Sequence, residues 1–234
     1  MYCLEGNQSV GKSTFLRLLK QHFSYIDIEY EPLTCWQKKR SGESLLGNFF
    51  NDLPRWAYTL DTFALMVRVR EHLKQQNNPN KNRVFERSIY SGYYGYAYCD
   101  YTLGSMTNME WALHNEWFDY LTKNCTPPLG FIYLRVDPDV AYKRSIKRNR
   151  EEDKNAKLEF LTQLGNHHDN FLIHKKNIME ELKDVPVLIL DCNQEFEKDK
   201  KVLLSHLDKV QQFMLDTQIQ VPGIKKQQDI SSSL

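Results

Sequence analysis

The 234-residue sequence predicts an α/β fold, a five-stranded parallel sheet covered by helices on both faces. Three observations carry this. Tyr2-Cys3-Leu4, Phe131-Ile132-Tyr133-Leu134 and Val187-Leu188-Ile189-Leu190 are continuous apolar runs of strand length, as expected for strands buried on both sides. Between such runs, apolar residues recur at helical spacing. The first run leads through Gly6-Asn7-Gln8-Ser9-Val10-Gly11-Lys12-Ser13, which fits Gly, four residues, Gly-Lys-Ser. Phe15, Leu18 and Leu19 then share a helix face, so the order is strand, glycine-rich turn, helix.

The first helix is expected from Lys12 to about His22. Tyr25-Ile26-Asp27-Ile28 alternates into Glu29-Tyr30-Glu31-Pro32, a second strand stopped by proline. Polar residues 37–44, with Gly42, read as a loop, and Leu45–Asp52 as a short helix. Pro54 suits the first turn of a longer helix carrying Trp56, Leu60, Phe63, Ala64 and Val67 and ending before Asn77-Asn78-Pro79-Asn80. Arg83–Glu86 is a short buried strand. Thr107-Asn108-Met109-Glu110 is a capping box opening a helix to about Lys123. Pro127-Pro128 breaks the chain before the strand 131–136. Asp137-Pro138 caps a helix that runs into the charged stretch Arg144 to Asp153. A long helix, about Leu158 to Leu182, precedes the fifth strand, and Lys200 to Asp216 is the last helix. The expected organisation is one domain over residues 1–216, with a lid at about 144–157, and a frayed tail over 217–234.

Composition excludes several classes. With 31 basic and 30 acidic residues, nothing in the global charge favours nucleic acid or a membrane surface. There is no apolar run of 18 residues, hence no expected membrane span. Five scattered cysteines, without Cys-x-x-Cys, fit a reducing compartment and argue against a disulfide framework or zinc site. The chain opens directly into its first strand, so no signal peptide is expected and a cytoplasmic location is. A mitochondrial location stays open if residues precede Met1.

The glycine-rich turn lets backbone N–H groups converge on a phosphate, and the helix N-terminus adds partial positive charge. This is a P-loop, and a nucleoside triphosphate is its expected ligand. Lys12 would bridge the β- and γ-phosphates, and Ser13 or its neighbour Thr14 would hold Mg²⁺. Glu31 stands before a proline that fixes its backbone; a carboxylate there can take a hydroxyl proton, the alternative being a surface glutamate. Glu86 can hold the Mg²⁺ water shell and Arg87 can stabilise a transferring phosphoryl group, the alternative being a strand-end ion pair. Arg144, Lys147, Arg148 and Arg150 cluster, and Arg144 and Arg148 share a face. They would close on a triphosphate, or form a solvated face balanced by Glu151, Glu152 and Asp153. Adjacent His167 and His168 point apart on a helix and read as structural or surface residues.

Several blocks in order resemble the deoxynucleoside kinase family: Leu4-Glu5-Gly6-Asn7 with Gly11-Lys12-Ser13-Thr14, Glu31-Pro32 with Trp36, Pro54-Arg55-Trp56, Glu86-Arg87-Ser88-Ile89-Tyr90-Ser91, Arg148-Asn149-Arg150, and Leu190-Asp191-Cys192-Asn193 with Phe196. The likeness runs from the first residue to about Asp216. It implies a P-loop kinase with a small lid and a helical homodimer interface. It also implies transfer of the γ-phosphoryl group of ATP to a deoxynucleoside 5′-hydroxyl, and feedback inhibition by a deoxynucleoside triphosphate. On matching positions it implies Glu31 as general base, Arg87 near the 5′-oxygen and Glu86 serving Mg²⁺. Arg144 and Arg148 would grip phosphates, with Gln194, Glu195 and Phe196 along the donor adenine. Trp36, Leu46, Phe49 and Tyr96 would wall the nucleoside pocket.

Four positions depart from the family pattern. Phe50 stands where a tyrosine usually bonds the sugar 3′-hydroxyl, and Asp153 where a glutamate does so from the lid. Asp61 replaces a glutamine that reads the base, and Gly92 an aspartate or alanine, while Arg68 is retained. Asp61 and Arg68, seven residues apart on one helix, share a face. A carboxylate accepts and a guanidinium donates. Together they match guanine, with its N1–H and 2-amino group on Asp61 and O6 or N7 on Arg68, and Gly92 would leave room for a purine. The alternative is that Asp61 and Arg68 pair with each other. Deoxyguanosine is the expected acceptor. The alternatives are a pyrimidine or broad-specificity deoxynucleoside kinase, a nucleoside-monophosphate kinase, and a non-catalytic structural relative.

Overall fold

The computed structural model describes residues 1–148 and 157–219. β1 (Tyr2–Gly6) is buried along its whole length, and Gly11 turns the chain into α1 (Lys12–His22). β2 (Asp27–Glu29) leads to the short α2 (Thr34–Gln37), then a hairpin of β3 (Lys39–Arg40) and β4 (Glu43–Ser44). α3 (Leu45–Asn51) precedes the long α4 (Leu53–Gln76), capped by the Asp52 carboxylate, which accepts from the Arg55 N–H. β5 (Arg83–Glu86) is followed by a wide π-type helical stretch, Ser91–Ala97, continuous with α5 (Tyr98–Thr102). α6 (Asn108–Thr122) starts at the expected capping box, Thr107 and Glu110 bonding reciprocally. β6 (Gly130–Arg135), α7 (Pro138–Arg148), α8 (Leu158–His168), β7 (Val187–Asp191) and α9 (Lys200–Ile219) complete the described chain.

The main sheet is parallel, in the order β2-β5-β1-β6-β7. β1 bonds on both sides and its residues alternate between two cores. Tyr2 and Leu4 join Ile132 and Leu134 against Phe15 and Leu19 of α1 and Leu207 and Val210 of α9. Cys3 joins Phe131 and Tyr133 against Leu65 and Val69 of α4 and Phe118 of α6. The Tyr2 hydroxyl donates to the Met214 carbonyl at 3.1 Å and lies 2.7 Å from Thr217 Oγ1, tying the last helix to the first strand. Strands are added to opposite sides of β1, so a crevice opens at its carboxyl end, where parallel sheets bind ligands.

Four expectations are corrected. The second strand ends at Glu29, because its pairing with β5 stops there and Pro32 bars its continuation; Glu31 lies in the loop beyond. Residues 37–44 contain a hairpin, turned by Ser41 and Gly42 at φ 53° and 90°. The helix expected over 158–182 is α-helical only to His168. It widens at Asp169–Ile173, where Asp169 is held by Tyr133 and Arg135, and breaks at Lys175 and Asn177, both at φ 51°. α9 extends to Ile219, so Thr217 is helical and only residues 220–234 of the expected tail lie outside the described residues. Residues 149–156 of the expected lid, including Arg150 and Asp153, also lie outside them. No helix among the described residues is long and apolar enough to cross a membrane.

The capping box generates a stability prediction. Thr107→Ala removes the acceptor for the Glu110 N–H and a donor to its carboxylate. It is expected to lower unfolding free energy by about 1 kcal/mol, read as a lower urea midpoint at unchanged m-value.

Candidate active site

One cavity of about 670 Å³ lies beyond the carboxyl ends of β1, β2 and β5. Its phosphate end is the glycine-rich turn, where Gln8, Ser9, Gly11, Lys12, Ser13 and Thr14 line it. Gly11 sits at φ 103°, and a Cβ there would lie 3.0 Å from the Phe196 ring, so glycine is needed for both backbone and space. Val10 packs into the core, and the Asn7 side chain donates to the Leu161 carbonyl, so these two anchor the loop from behind. Lys12 Nζ donates to the carbonyls of Gly6 and Asn7 at 2.9 and 2.7 Å. Burial, with Arg87 adding to it, pulls the Lys12 ammonium down to about 7, against Glu86, Glu31 and Glu5. Ser13 Oγ donates to Glu86 Oε1 at 2.8 Å, a hydroxyl and a carboxylate side by side. Hard oxygen donors of this kind suit Mg²⁺, which takes one or two protein ligands and otherwise water and phosphate.

Glu31 occupies the middle of the cavity between two guanidiniums. Arg68 Nη2, from α4, donates to one carboxylate oxygen, and Arg87 Nη1, after β5, donates to the other. Burial pushes the Glu31 carboxyl up, but Arg87 and Arg68 outweigh it and hold the group down to about 2. Arg87 is itself locked: its φ is 64°, its other Nη donates to the Tyr96 hydroxyl, and it lies 4.7 Å over the Tyr96 ring. Burial disfavours its charge, but Glu31 and Tyr96 hold it raised.

Beyond the glycine-rich turn the cavity is lined by Trp36, Leu46, Phe49, Phe50, Asp61 and Tyr96, which brings together the residues expected to wall a nucleoside pocket. Sequence reasoning missed Leu33, Gln37, Leu103, Ser105 and Phe160 there, and above all Asp100. Asp100 follows the Ser91–Ala97 stretch, whose glycines and tyrosines show no helical period, so nothing marked its direction.

Several placements differ from expectation. Arg68 is ion-paired with Glu31 and stacks 5.5 Å over Trp36 rather than pairing with Asp61, although its charge still acts to lower the Asp61 carboxyl. Asp61 lines the cavity with Asp100, and burial together with that neighbouring acid pushes its carboxyl up. Gly92 leaves room for Arg68 rather than for a purine: a Cβ there would be 2.7 Å from Arg68 Nη1. Phe196 is buried against Phe15 and backs Gly11 instead of lining the cavity. Gln194 and Glu195 line a separate shallow depression. Arg144 reaches the cavity, but its guanidinium donates to the carbonyls of Cys192, Asn193 and Gln194, so it ties α7 to the loop after β7. Arg148 lines the same cavity. His167 and His168 are both buried; the Nδ1–H of His168 donates to the Leu164 carbonyl.

A family model described as deoxynucleoside kinase matches residues 2–215. Deoxycytidine kinase 2 of Gallus gallus is 32% identical over 235 residues, covering 90% of this chain and 89% of its own. The mitochondrial deoxyguanosine kinase of Xenopus laevis is 34% identical over 218 residues, covering 84% and 82%. Deoxycytidine kinase of Homo sapiens is 31% identical over 235 residues, covering 90% and 89%.

The double clamp on Glu31 predicts its titration. Its depressed carboxyl stays ionised well below the ordinary glutamate value of about 4.3, so the stabilisation it gives is present above that value and lost only as pH falls through about 2. Carboxyl-labelled NMR should show no Glu31 inflection near 4.3; in Arg68→Met, with one clamp removed, an inflection should move up towards it.

Proposed function

The chain belongs to the deoxynucleoside kinase family, and on that footing we propose that it transfers the γ-phosphoryl group of ATP to the 5′-hydroxyl of a deoxynucleoside in nucleotide salvage. The observation that carries the acceptor is Glu31, a carboxylate in the same cavity as the phosphate loop and the nucleoside walls. A nucleoside monophosphate as acceptor would need arginines free to face its phosphate. Arg68 and Arg87 are both taken by Glu31, which favours a hydroxyl instead.

Lys12 and the loop N–H groups would hold the β- and γ-phosphates. Ser13 and Glu86 would hold Mg²⁺, which supplies charge neutralisation between the phosphates. The 5′-hydroxyl would take the place of Arg68 on Glu31, and with that cation withdrawn the carboxylate becomes more basic. Phosphoryl transfer passes through a loose transition state. Glu31 therefore works chiefly by aiming the hydroxyl oxygen and accepts its proton late, while Arg87 stays beside the developing charge. Arg148 would reach the phosphate end from α7, which Arg144 braces against the loop after β7.

Deoxyguanosine is the acceptor we favour. Asp61 lines the cavity, and a carboxylate there would accept the donors of a guanine edge. A homodimer is supported by α6, where Met109, Leu113, Trp117 and Tyr120 stand exposed at helical spacing. Feedback inhibition by a deoxynucleoside triphosphate fits a cavity whose nucleoside and phosphate ends are continuous. Five free cysteines suit a reducing compartment such as the cytoplasm.

Two outcomes are expected. Glu31→Gln should lower kcat by about 10²–10⁴-fold, with a smaller change in KM, because the amide keeps shape but cannot take the proton. A variant keeping more than half of the wild-type kcat would remove Glu31 from the reaction. Phe50 lines the cavity without a hydroxyl to offer the sugar. Loss of the 3′-hydroxyl should therefore cost 2′,3′-dideoxynucleosides much less than the roughly 10⁴-fold in kcat/KM that a dedicated hydrogen-bonding site imposes.

A further inference from the structure

A guanidinium and a carboxylate match as two forks, so Arg87 could grip Glu31 with both of its terminal nitrogens. It does not. Nη1 donates to Glu31 Oε2, while Nη2 donates to the Tyr96 hydroxyl. Glu31 Oε1 is thereby left to Arg68. The two arginines are held differently. The Arg87 main-chain N–H donates to the Leu4 carbonyl at 2.9 Å, and its guanidinium lies 4.7 Å over the Tyr96 ring, so it is fixed at both ends. Arg68 reaches Glu31 from α4 with its guanidinium resting on the Trp36 ring.

Tyr96 is itself braced from behind. It stands in the wide helical stretch Ser91–Ala97, and its ring meets the His168 ring edge-on at 6.3 Å and 86°. His168 is pinned by the Leu164 carbonyl at 2.7 Å and lies parallel to the Tyr133 ring, whose hydroxyl donates to Asp169 at 2.8 Å. A Cβ on Gly95 would lie 3.3 Å from His168, so this packing is close. Burial pushes the Tyr96 hydroxyl up to about 12 against the pull of Arg87, so it stays a neutral phenol able to accept from the guanidinium.

Resting on the kinase reading above, we propose that Tyr96 is a positioning residue for phosphoryl transfer: its hydroxyl occupies Arg87 Nη2, keeps Arg87 on one oxygen of Glu31, and so reserves the other oxygen for the acceptor hydroxyl. Arg68 is then the cation that yields to the acceptor, and Arg87 the one that stays. Without the phenol oxygen, Nη2 loses its acceptor and closes onto Oε1 once Arg68 leaves. The acceptor hydroxyl would then have to displace a charge-assisted bond to reach Glu31.

The test measures kcat and KM for the best deoxynucleoside in wild type, Tyr96→Phe, Arg87→Lys and the double variant. Phenylalanine keeps the ring and its contact with His168, so only the hydroxyl is removed. Tyr96→Phe should lower kcat by about tenfold or more, the size of one hydrogen bond to a charged group, and change KM less. Lysine has one ammonium and cannot fork, so in the Arg87→Lys background the same substitution should cost less than about twofold. A second readout needs no turnover. In carboxyl-labelled NMR, the Glu31 inflection of Arg68→Met/Tyr96→Phe should lie below that of Arg68→Met, because the second Arg87 nitrogen now bonds the ionised carboxylate. A Tyr96→Phe kcat above half of wild type, a change confined to KM, an equal loss in both backgrounds, or an unmoved Glu31 inflection would overturn the positioning role and leave the kinase reading in place. A wild-type chain that turns over no nucleoside would remove the kinase reading and the proposal with it.

Discussion

A buried carboxylate needs cations, and the way Glu31 obtains them organises the cavity. One arginine comes from α4 and the other from the turn after β5, so the clamp joins the loop beyond β2 to two separate elements. Removing one partner of a buried pair costs about 3–5 kcal/mol, because the remaining charge is left uncompensated. The loop carrying Glu31 is therefore positioned by electrostatics as much as by backbone bonding. Trp36 packs beneath Arg68 and Tyr96 beneath Arg87, so the cations are also held by aromatic faces.

The same clamp decides what the neighbours can do. With Arg68 on Glu31, the cavity side of α4 carries an acid, Asp61, and Asp100 of α5 lines the same cavity. Gly92 belongs to this arrangement, since any larger side chain there would occupy the place of the Arg68 guanidinium. A substitution at residue 92 would thus act on the cavity through Arg68 and Glu31.

Much of this was legible in the sequence, and the reasons differ by element. The continuous apolar runs of β1 and β6 and the Gly-x-x-x-x-Gly-Lys-Ser turn announce a buried parallel sheet with a phosphate loop, because central strands are covered on both faces; β7 carries a similar run but lies at the sheet edge and is half-exposed. Thr107 and Glu110 mark the start of α6 by side-chain chemistry confined to one turn. Glu31 and Glu86 were legible because strand ends are where parallel sheets bind ligands. The partner of Arg68 was not legible: seven-residue spacing places Asp61 on the same helix face, but the choice between Asp61 and Glu31 depends on a loop 37 residues before Arg68. The break after His168 was hidden too, since helical periodicity continues through it and only the tertiary bonds of Asp169 and Lys175 reveal it. Phe196 follows a motif shared with the family, yet its ring is spent on supporting Gly11, a use that no linear pattern records.

The setting of Lys12 carries a consequence for nucleotide binding. Its ammonium donates to the Gly6 and Asn7 carbonyls, and burial pulls it down to about 7. A triphosphate placed against it stabilises the charged form, so association and protonation are thermodynamically linked. At neutral or mildly alkaline pH the complex takes up a fraction of a proton from the medium. Nucleotide affinity then weakens as pH rises through about 7, and the heat of binding includes the ionisation enthalpy of whatever buffer surrounds the protein.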